Sequence, residues 1–141
     1  MNVSRETIKK ILVISGPTAS GKSSLALKVA QEKDSVIINA DSVQLYKDLP
    51  ILSAQPSKNE LKKAPHLLYS VLEYDQDSSV NNWLKLAKKE IDQTLLANKL
   101  PIIVGGTGLY LSKLIDGIHK VPNIEKTVRE ECRELFFKSG A

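Results

Sequence analysis

The residues best suited to chemistry form one short run, Gly16-Pro-Thr-Ala-Ser-Gly-Lys-Ser23, between an apolar segment and a helical pattern. Glycines at both ends let the backbone curl so that successive N–H groups point inward, and the positive end of the following helix strengthens the field. In this spacing a lysine neutralises terminal phosphates and a serine hydroxyl ligates Mg²⁺. A phosphorylated ligand and magnesium are therefore expected here, with Ser23 as the metal ligand. The predicted binding residues are Gly16, Pro17, Thr18, Ala19, Ser20, Gly21, Lys22 and Ser23.

A carboxylate and a second glycine-rich turn are predicted to lie beside this loop. Asp41 follows a predicted buried strand, and Gly105-Gly-Thr107 follows another. Ligands of open parallel sheets bind outside the carboxyl ends of the strands, so these residues should share one rim with the loop. A carboxylate there can orient or deprotonate an acceptor. The alternative for Asp41 is a helix cap or an indirect partner of the magnesium ion.

Two further residues on this rim have open roles. Thr107 can donate a hydrogen bond to a phosphate or to the acceptor, or it can simply cap the following helix. Gln44 offers a donor and an acceptor that suit the edge of a base, although a surface glutamine is the commoner outcome.

Strands and helices alternate along the chain, and this order predicts the fold. Strands are expected at Lys10–Ser15, Val36–Ala40, Leu67–Leu72 and Pro101–Val104. Helices are expected at about 21–32, after a capping box at Ser57–Glu60, from Ser78 or Ser79 to about Ala97, up to Asp116, and from Pro122–Asn123 to about Lys138, with Asn123 as a cap. The alternation predicts an α/β fold, a P-loop NTPase-like parallel sheet with helices on both faces.

Two packing predictions accompany this fold. The first strand reads as a continuous apolar run, which is typical of a parallel strand covered on both faces. Trp83 lies on the apolar stripe of the third helix, so we expect it to anchor the core instead of stacking on a base.

Composition limits the classes of protein that fit. The chain has 141 residues, of which 42% are hydrophobic and 26% charged, and its net charge of +4 permits a nucleic-acid partner without requiring one. No apolar run approaches the ~20 residues of a membrane span, and the polar residues 1–10 lack the apolar core of a signal peptide. We expect a cytoplasmic monomer with no membrane partner. The single cysteine, Cys132, agrees with a reducing compartment.

Several motifs together resemble one enzyme family. In order they are Gly16–Ser23, Ala40-Asp-Ser-Val-Gln-Leu-Tyr46, Ala54-Gln-Pro56, Pro65-His66 and Val104-Gly-Gly-Thr-Gly-Leu-Tyr110. Their sequence and spacing resemble the tRNA dimethylallyltransferase (tRNA isopentenyltransferase) family from about Ile11 to Arg133. The resemblance implies that the loop holds the diphosphate of dimethylallyl diphosphate. The dimethylallyl group would then pass to N6 of the adenosine 3′ of the anticodon in tRNA.

The resemblance also implies roles for individual residues. Thr18 to Ser23 would bind the diphosphate, and Lys22 would neutralise the charge that builds on it as it leaves. Asp41 would be the general base that takes the N6 proton. The segment Asp41, Ser42, Val43 and Gln44 would contact a flipped-out adenosine, and Thr107 and Arg129 would contact the tRNA. Arg129 alternatively belongs to a solvated helix face with Glu125 and Arg133.

Departures from the family pattern leave alternatives open. Leu52, Ser53 and Gln55 stand where the family usually has glycine, threonine and lysine. The resemblance implies a lead-in at 1–10, a P-loop domain at 11–121, and the start of a truncated tRNA-binding helical region at 122–141. Transfer activity would then be impaired. The alternatives are a P-loop small-molecule kinase, which leaves the Gly105–Tyr110 motif unexplained, or a non-catalytic diphosphate-binding fragment. An ATPase is disfavoured because no strand ends in the apolar run plus Asp of nucleotide hydrolases.

Overall fold

A computed structural model describes residues 10–76, 78–117 and 125–140. Four strands form one sheet in the order β1-β4-β2-β3, and every pair of neighbours is parallel. The strands are β1 (Leu12–Ser15), β2 (Ser35–Asn39), β3 (His66–Leu67) and β4 (Leu100–Gly105). The helices are α1 (Lys22–Glu32), α2 (Lys58–Leu61), α3 (Val80–Leu96), α4 (Gly108–Asp116) and α5 (Lys126–Ser139), and a short 3₁₀ helix covers Val43–Leu45. This is the predicted parallel α/β architecture.

The two faces of the sheet are covered by different helices. On one face Ile37 and Ile102 pack with Ala26 and Leu27 of α1. On the other face, residues of β2 and β4 pack with α3 and α4 in a larger cluster: Val36, Ile38, Ile103, Trp83, Leu84, Ala87, Ile91, Tyr110 and Leu111. Because successive side chains of a strand alternate between faces, strands covered on both sides need continuous apolar runs. β2 and β4 satisfy that requirement, and the prediction of helices on both faces is confirmed.

The prediction that β1 is covered on both faces is wrong for the described residues. β1 is an edge strand, and its side chains alternate between half-buried and exposed. Leu12 and Ile14 pack towards α1, whereas Val13 remains 37% exposed. The apolar run predicts a strand correctly, but a run of four residues does not indicate whether that strand lies at the centre or at the edge of the sheet.

The predicted third strand, Leu67–Leu72, is also wrong in its length. β3 contains only His66 and Leu67, because Leu68 and Ser70 have positive φ angles of 62° and 51°, which are incompatible with a continuing strand. Leu72 returns to the sheet edge through a single bridge to Tyr46. Residues 68–70 form a bend between β3 and this bridge.

Trp83 is a core residue, as predicted. Its side chain is 1% exposed and stacks on Tyr110 of α4 with ring centroids 4.5 Å apart. Its indole Nε1 donates to the carbonyl oxygen of Asn39 at 2.8 Å, so α3 is joined to the end of β2 by a hydrogen bond as well as by packing. A buried indole needs such an acceptor, since an unpaired buried N–H is costly.

Helix ends agree largely with the sequence. The capping box Ser57–Glu60 opens α2, Ser79 caps α3 by accepting from the Asn82 N–H, and Gly117, with a φ of 83°, ends α4. The predicted start of the last helix at 122–123, including the Asn123 cap, lies outside the described residues, as does most of the lead-in. Every residue of α5 is exposed, and no helix among the described residues has the length and hydropathy to span a membrane.

Candidate phosphate-binding site

The loop between β1 and α1 has the curled backbone that its sequence predicts. Ala19 and Gly21 both adopt left-handed conformations, with φ angles of 62° and 84°. Gly16 lies close to Ser20, whose Oγ would be 3.0 Å from a Cβ at position 16. Lys22 is the first residue of α1, and its ammonium group donates to the Pro17 carbonyl at 2.7 Å. No side chain caps the N-terminus of α1, so the positive end of the helix is directed into the loop.

Asp41 is held in place by a buried asparagine in β2. Asn39 is completely buried, and its Oδ1 accepts from the Asp41 N–H at 2.9 Å while its Nδ2 donates to the Asp41 carbonyl at 2.9 Å. The same Nδ2 also donates to the carbonyl of Leu68 at 3.0 Å. The Asp41 carboxylate accepts from the Val43 N–H through Oδ1 at 3.0 Å, which fixes the orientation of Oδ2. This role of Asn39 cannot be predicted from the sequence, because the identity of the residue alone does not distinguish a buried from an exposed amide.

The glycine-rich turn after β4 touches both of the other elements. A Cβ at Gly105 would lie 2.1 Å from the carbonyl oxygen of Ala40, so the two strand ends approach more closely than any side chain permits. A Cβ at Gly106 would lie 3.4 Å from the Gly16 carbonyl, 3.9 Å from Asp41 Oδ2 and 4.0 Å from Lys22 Nζ. The space beside Gly106 is therefore where the phosphate loop, the carboxylate and the second turn converge.

Thr107 connects this turn to the segment after Asp41. Its Oγ1 accepts from the Ser42 N–H at 3.0 Å and lies 3.4 Å from the Ser42 hydroxyl. Thr107 occupies the N-cap position of α4, but its side chain makes no capping hydrogen bond. Thr107 is therefore at the predicted cap position, but its hydroxyl does not cap the helix. The hydroxyl instead fixes the segment that carries Asp41.

A cavity of about 260 Å³ opens at this rim. Its lining combines predicted and unpredicted residues: Thr18, Ala19, Lys22, Ser23, Asp41, Val43, Gln44, Leu52, Ser53, Ala54, Val104 and Gly105. The lining does not include six of the predicted residues, namely Gly16, Pro17, Ser20, Gly21, Ser42 and Thr107. Arg129 is exposed on α5 and does not line the cavity. The lining residues that the sequence did not predict for this site are Val104, at the end of β4, and Leu52, Ser53 and Ala54, which belong to a segment marked only by its resemblance to a family motif.

Segment 49–55, called here the rim loop, is ordered by hydrogen bonds along one side of the cavity. Inside the loop, the Ser53 N–H donates to the Leu49 carbonyl at 3.0 Å and the Gln55 N–H to the Pro50 carbonyl at 2.9 Å. Outside it, Gln44 Nε2 donates to the carbonyls of Ser53 and Ala54 at 2.8 and 3.1 Å. Gln44 is therefore half-buried and bonded, in contrast to the surface alternative.

A second glutamine, Gln55, attaches the rim loop to the segments that follow β2 and β3. Gln55 Nε2 donates to the Tyr46 carbonyl at 2.8 Å, and Gln55 Oε1 accepts from the Ser70 hydroxyl at 2.5 Å. Together the two glutamines bond the loop to both segments that flank the end of the sheet.

Tyr69 lies beneath the cavity, in a small void of about 30 Å³ that Ser23 and Glu60 also line. Burial, followed by the negative charges of Asp41 and Glu60, raises the pKa of Tyr69 well above its ordinary value of 10.0. The phenol is consequently neutral under all physiological conditions. At Glu60 the cause is different, because hydrogen bonds from Ser57 lower the pKa of that carboxyl.

The donor set at the rim fits a magnesium ion that is bound mainly by its substrate. Magnesium typically takes one or two protein ligands and completes its shell with water and phosphate oxygens. Ser23 Oγ and the Asp41 carboxylate line the same cavity, whereas the described residues contain no cluster of His, Cys, Asp and Glu that would form an all-protein site. The geometry therefore suits a metal ion that arrives with a phosphate ligand.

The fold and this rim define an α/β protein of the P-loop type with a cavity at the carboxyl ends of its parallel strands. Residues 44–140 match the family model described as IPP transferase, and residues 9–71 match one described as isopentenyl transferase. The chain belongs to the IPP transferase family.

Named relatives agree with this family. The tRNA dimethylallyltransferase of Rhodospirillum rubrum is 50% identical over 130 residues, a match that covers 92% of this chain and 40% of that protein. The tRNA dimethylallyltransferase of Ehrlichia ruminantium is 46% identical over 133 residues, covering 94% of this chain and 44% of that protein. The chain thus spans less than half the length of these relatives.

Solved structures show the same fold. The full-length tRNA isopentenylpyrophosphate transferase from Bacillus halodurans superimposes with a TM-score of 0.77 at 28% identity, covering 94% of this chain and 44% of that one. A eukaryotic dimethylallyltransferase acting on tRNA gives a TM-score of 0.77 at 27% identity, covering 94% of this chain and 33% of that one.

Proposed function

We propose that this chain provides the diphosphate-binding and proton-accepting part of a tRNA dimethylallyltransferase. The observation that carries the proposal is the convergence beside Gly106, where Lys22 Nζ and Asp41 Oδ2 lie within 4.0 Å of one point. A cation that neutralises a leaving diphosphate and a carboxylate that accepts a proton are the two groups that such a transfer requires. The names of the relatives, tRNA dimethylallyltransferases, support tRNA as the acceptor and a dimethylallyl group as the group transferred. We propose dimethylallyl diphosphate as the donor, because the loop is suited to a diphosphate.

In this proposal the N–H groups of residues 18–23 hold the diphosphate, and the positive end of α1 adds to their field. Ser23 holds Mg²⁺, which neutralises phosphate charge when bound. N6 of the adenosine attacks C1 of the dimethylallyl group, the C1–O bond breaks, and the diphosphate departs with the bonding electrons. Asp41 accepts the proton that N6 releases, so charge and atoms balance. Lys22 stabilises the departing anion.

Segment 41–44 and Thr107 orient the adenosine. The hydrogen bonds from Asn39 and Thr107 hold this segment at a fixed distance from the loop, which keeps the acceptor close to the reacting carbon. We propose that Arg129 and α5, at the beginning of the helical region from residue 122, contact the tRNA outside the cavity. We further propose that the chain works in the cytoplasm, where tRNA is found.

Ligand affinity distinguishes the proposed prenyl diphosphate site from the ATP site of a small-molecule kinase. The purified chain is titrated calorimetrically with dimethylallyl diphosphate and with ATP, each with Mg²⁺. We expect tighter binding of the prenyl diphosphate, because the cavity that Ser23 lines also includes the aliphatic side chains of Val43 and Leu52. Tighter binding of ATP would instead identify a small-molecule kinase and overturn the proposal.

Transfer is tested on unmodified tRNA, with the chain alone and with the chain mixed with the part of the Rhodospirillum rubrum relative that lies outside the match. We expect modification at least in the mixture. Asp41→Asn retains an acceptor for the Val43 N–H but not a base, so it should keep diphosphate affinity and lose about 10²-fold or more in rate. Binding without transfer in either arrangement would indicate the non-catalytic fragment.

A further inference from the structure

The rim loop keeps two large apolar side chains in solvent at the mouth of the cavity. Ile51 is 91% exposed and Leu52 is 85% exposed, although they lie in a segment that is bonded to the protein from both sides. Exposure of two adjacent aliphatic residues on an ordered loop is unfavourable and is typical of a surface that contacts a ligand. Of the two, only Leu52 lines the cavity.

The cavity lining combines polar and aliphatic side chains, and Asp41, Gln44 and Ser53 are among the polar ones. Lys22, Ser23 and Thr18 are polar or charged and belong to the phosphate loop, whereas Val43, Leu52 and Ala54 are aliphatic. A ligand that fills such a space needs an anionic end and a short alkyl end. None of the described lining residues is aromatic, which disfavours a stacked base as the occupant of this wall.

We infer that Leu52 forms the apolar contact for the alkyl group of the prenyl diphosphate and so sets the selectivity of this site for an alkyl diphosphate over inorganic pyrophosphate. This inference rests on the proposed function. Gln44 and Gln55 act as positioning residues, because their amide groups bond the loop that carries Leu52. The site thereby recognises both ends of one small molecule with two different segments of the chain.

The backbone at position 54 supports a fixed placement of Leu52. Ala54 adopts a φ of 51°, and its N–H donates to the Ile51 carbonyl at 3.1 Å. A left-handed alanine is unfavourable unless the surrounding bonds hold it there. The turn around Leu52 is therefore defined by the fold, and the leucine side chain is presented at one position on the wall.

The test compares two ligands in the presence of Mg²⁺ without tRNA, namely dimethylallyl diphosphate and inorganic pyrophosphate. The wild-type chain should bind the prenyl diphosphate more tightly. Leu52→Ala should weaken that binding about fivefold, the loss expected for part of one buried leucine side chain, and leave pyrophosphate affinity unchanged. Ile51→Ala is the matched control, since it removes an equally exposed neighbour outside the cavity and should change neither affinity.

The results that would overturn the inference differ in what they imply for the proposed function. Equal affinity of the wild-type chain for both ligands, or equal losses in the two variants, would overturn the role of Leu52 while leaving diphosphate binding intact. A loss of tRNA affinity in Leu52→Ala with unchanged prenyl diphosphate affinity would assign the side chain to nucleic acid and overturn the inference. Binding of neither ligand by the wild-type chain would overturn both the inference and the proposed function.

Discussion

Gly106 occupies a position from which a single methyl group reaches the phosphate loop, Lys22 and Asp41 together. In Gly106→Ala the new Cβ would make ordinary contacts of 3.4 to 4.0 Å, so the fold should be unaffected. The methyl group would fill the space between Lys22 Nζ and Asp41 Oδ2, and we expect at least a tenfold loss of affinity for Mg²⁺-pyrophosphate by calorimetry. Gly108→Ala, which meets nothing within 4 Å, is the control. Unchanged affinity in Gly106→Ala would place the ligand elsewhere.

Tyr69 makes stability depend on pH in the alkaline range. Its pKa is raised in the folded chain by burial and by Asp41, whereas the unfolded chain retains the ordinary value of 10.0. Below pH 10 the phenol is protonated in both states, and above it the unfolded state loses its proton first. The free energy of unfolding should therefore fall as pH rises above 10.

Urea denaturation between pH 8 and 11 measures this effect, and Tyr69→Phe should flatten the profile above pH 10. The exposed Tyr74 offers a matched control, because Tyr74→Phe also removes one phenol. A profile as steep in Tyr69→Phe as in the wild type would show that other groups cause the alkaline loss.

For individual residues, the sequence predicts where the candidate site lies but not the residues that support it. The spacing of Gly16, Lys22 and Ser23 is a local pattern, and Asp41 follows from the rule that ligands bind at the ends of parallel strands. Asn39 and Leu52 were not predicted as site residues, because the contacts that define them join segments distant in sequence, such as Asn39 with Leu68. No local pattern marks an amide that holds a neighbouring carboxylate.

The element that most constrains the site is the junction of β2 and β4. Asn39 pairs with Val104, and the Ala40 N–H donates to the Val104 carbonyl at 2.7 Å. Directly beyond, Gly105 lies against the Ala40 carbonyl with no room for a side chain. This close approach sets the separation between Asp41 and the glycine-rich turn.

Gly105→Ala should therefore be strongly destabilising. Its Cβ would overlap a backbone oxygen that belongs to the neighbouring strand end, and neither can move without breaking the β2–β4 pairing. We expect a loss of ~3 kcal/mol or more, at the upper end for an overpacked core. Chemical denaturation compares it with Gly106→Ala, the adjacent substitution for which space exists. Similar stabilities of the two variants would contradict the close approach.

Whole elements were predicted more reliably than their positions in the sheet. The helices follow from periodic apolar positions and local caps, which are properties of short segments. The short β3 and the exposed face of β1 depend on backbone angles at Leu68 and on strand order, which the order of elements along the chain does not determine. Strand order is a property of the assembled sheet.

In the assembled molecule one face of β1 packs against α1, whereas the other face is partly exposed to solvent. Val13 and Ile103 are neighbours in register and project to the same face, yet Val13 is 37% exposed while Ile103 is completely buried. Val13→Lys should cost less than ~1 kcal/mol, because the aliphatic part of lysine can lie along the strand with its charge in water. Ile103→Lys should prevent folding, since its charge would be buried without a partner. Thermal unfolding by circular dichroism distinguishes them, and equal damage from both would show that β1 is covered in solution.

The pairing of β1 also has a consequence for the time at which the site forms during synthesis. Among the described residues β1 pairs only with β4, and Leu12 lies opposite Ile102. The phosphate loop is therefore translated before the strand that anchors it, which emerges from the ribosome about ninety residues later. Until then the apolar β1 segment has no partner strand, and the emerging chain depends on protection from premature association. The phosphate loop is thus synthesised before the rest of the site, but β1 gains its partner strand only after β4 has emerged.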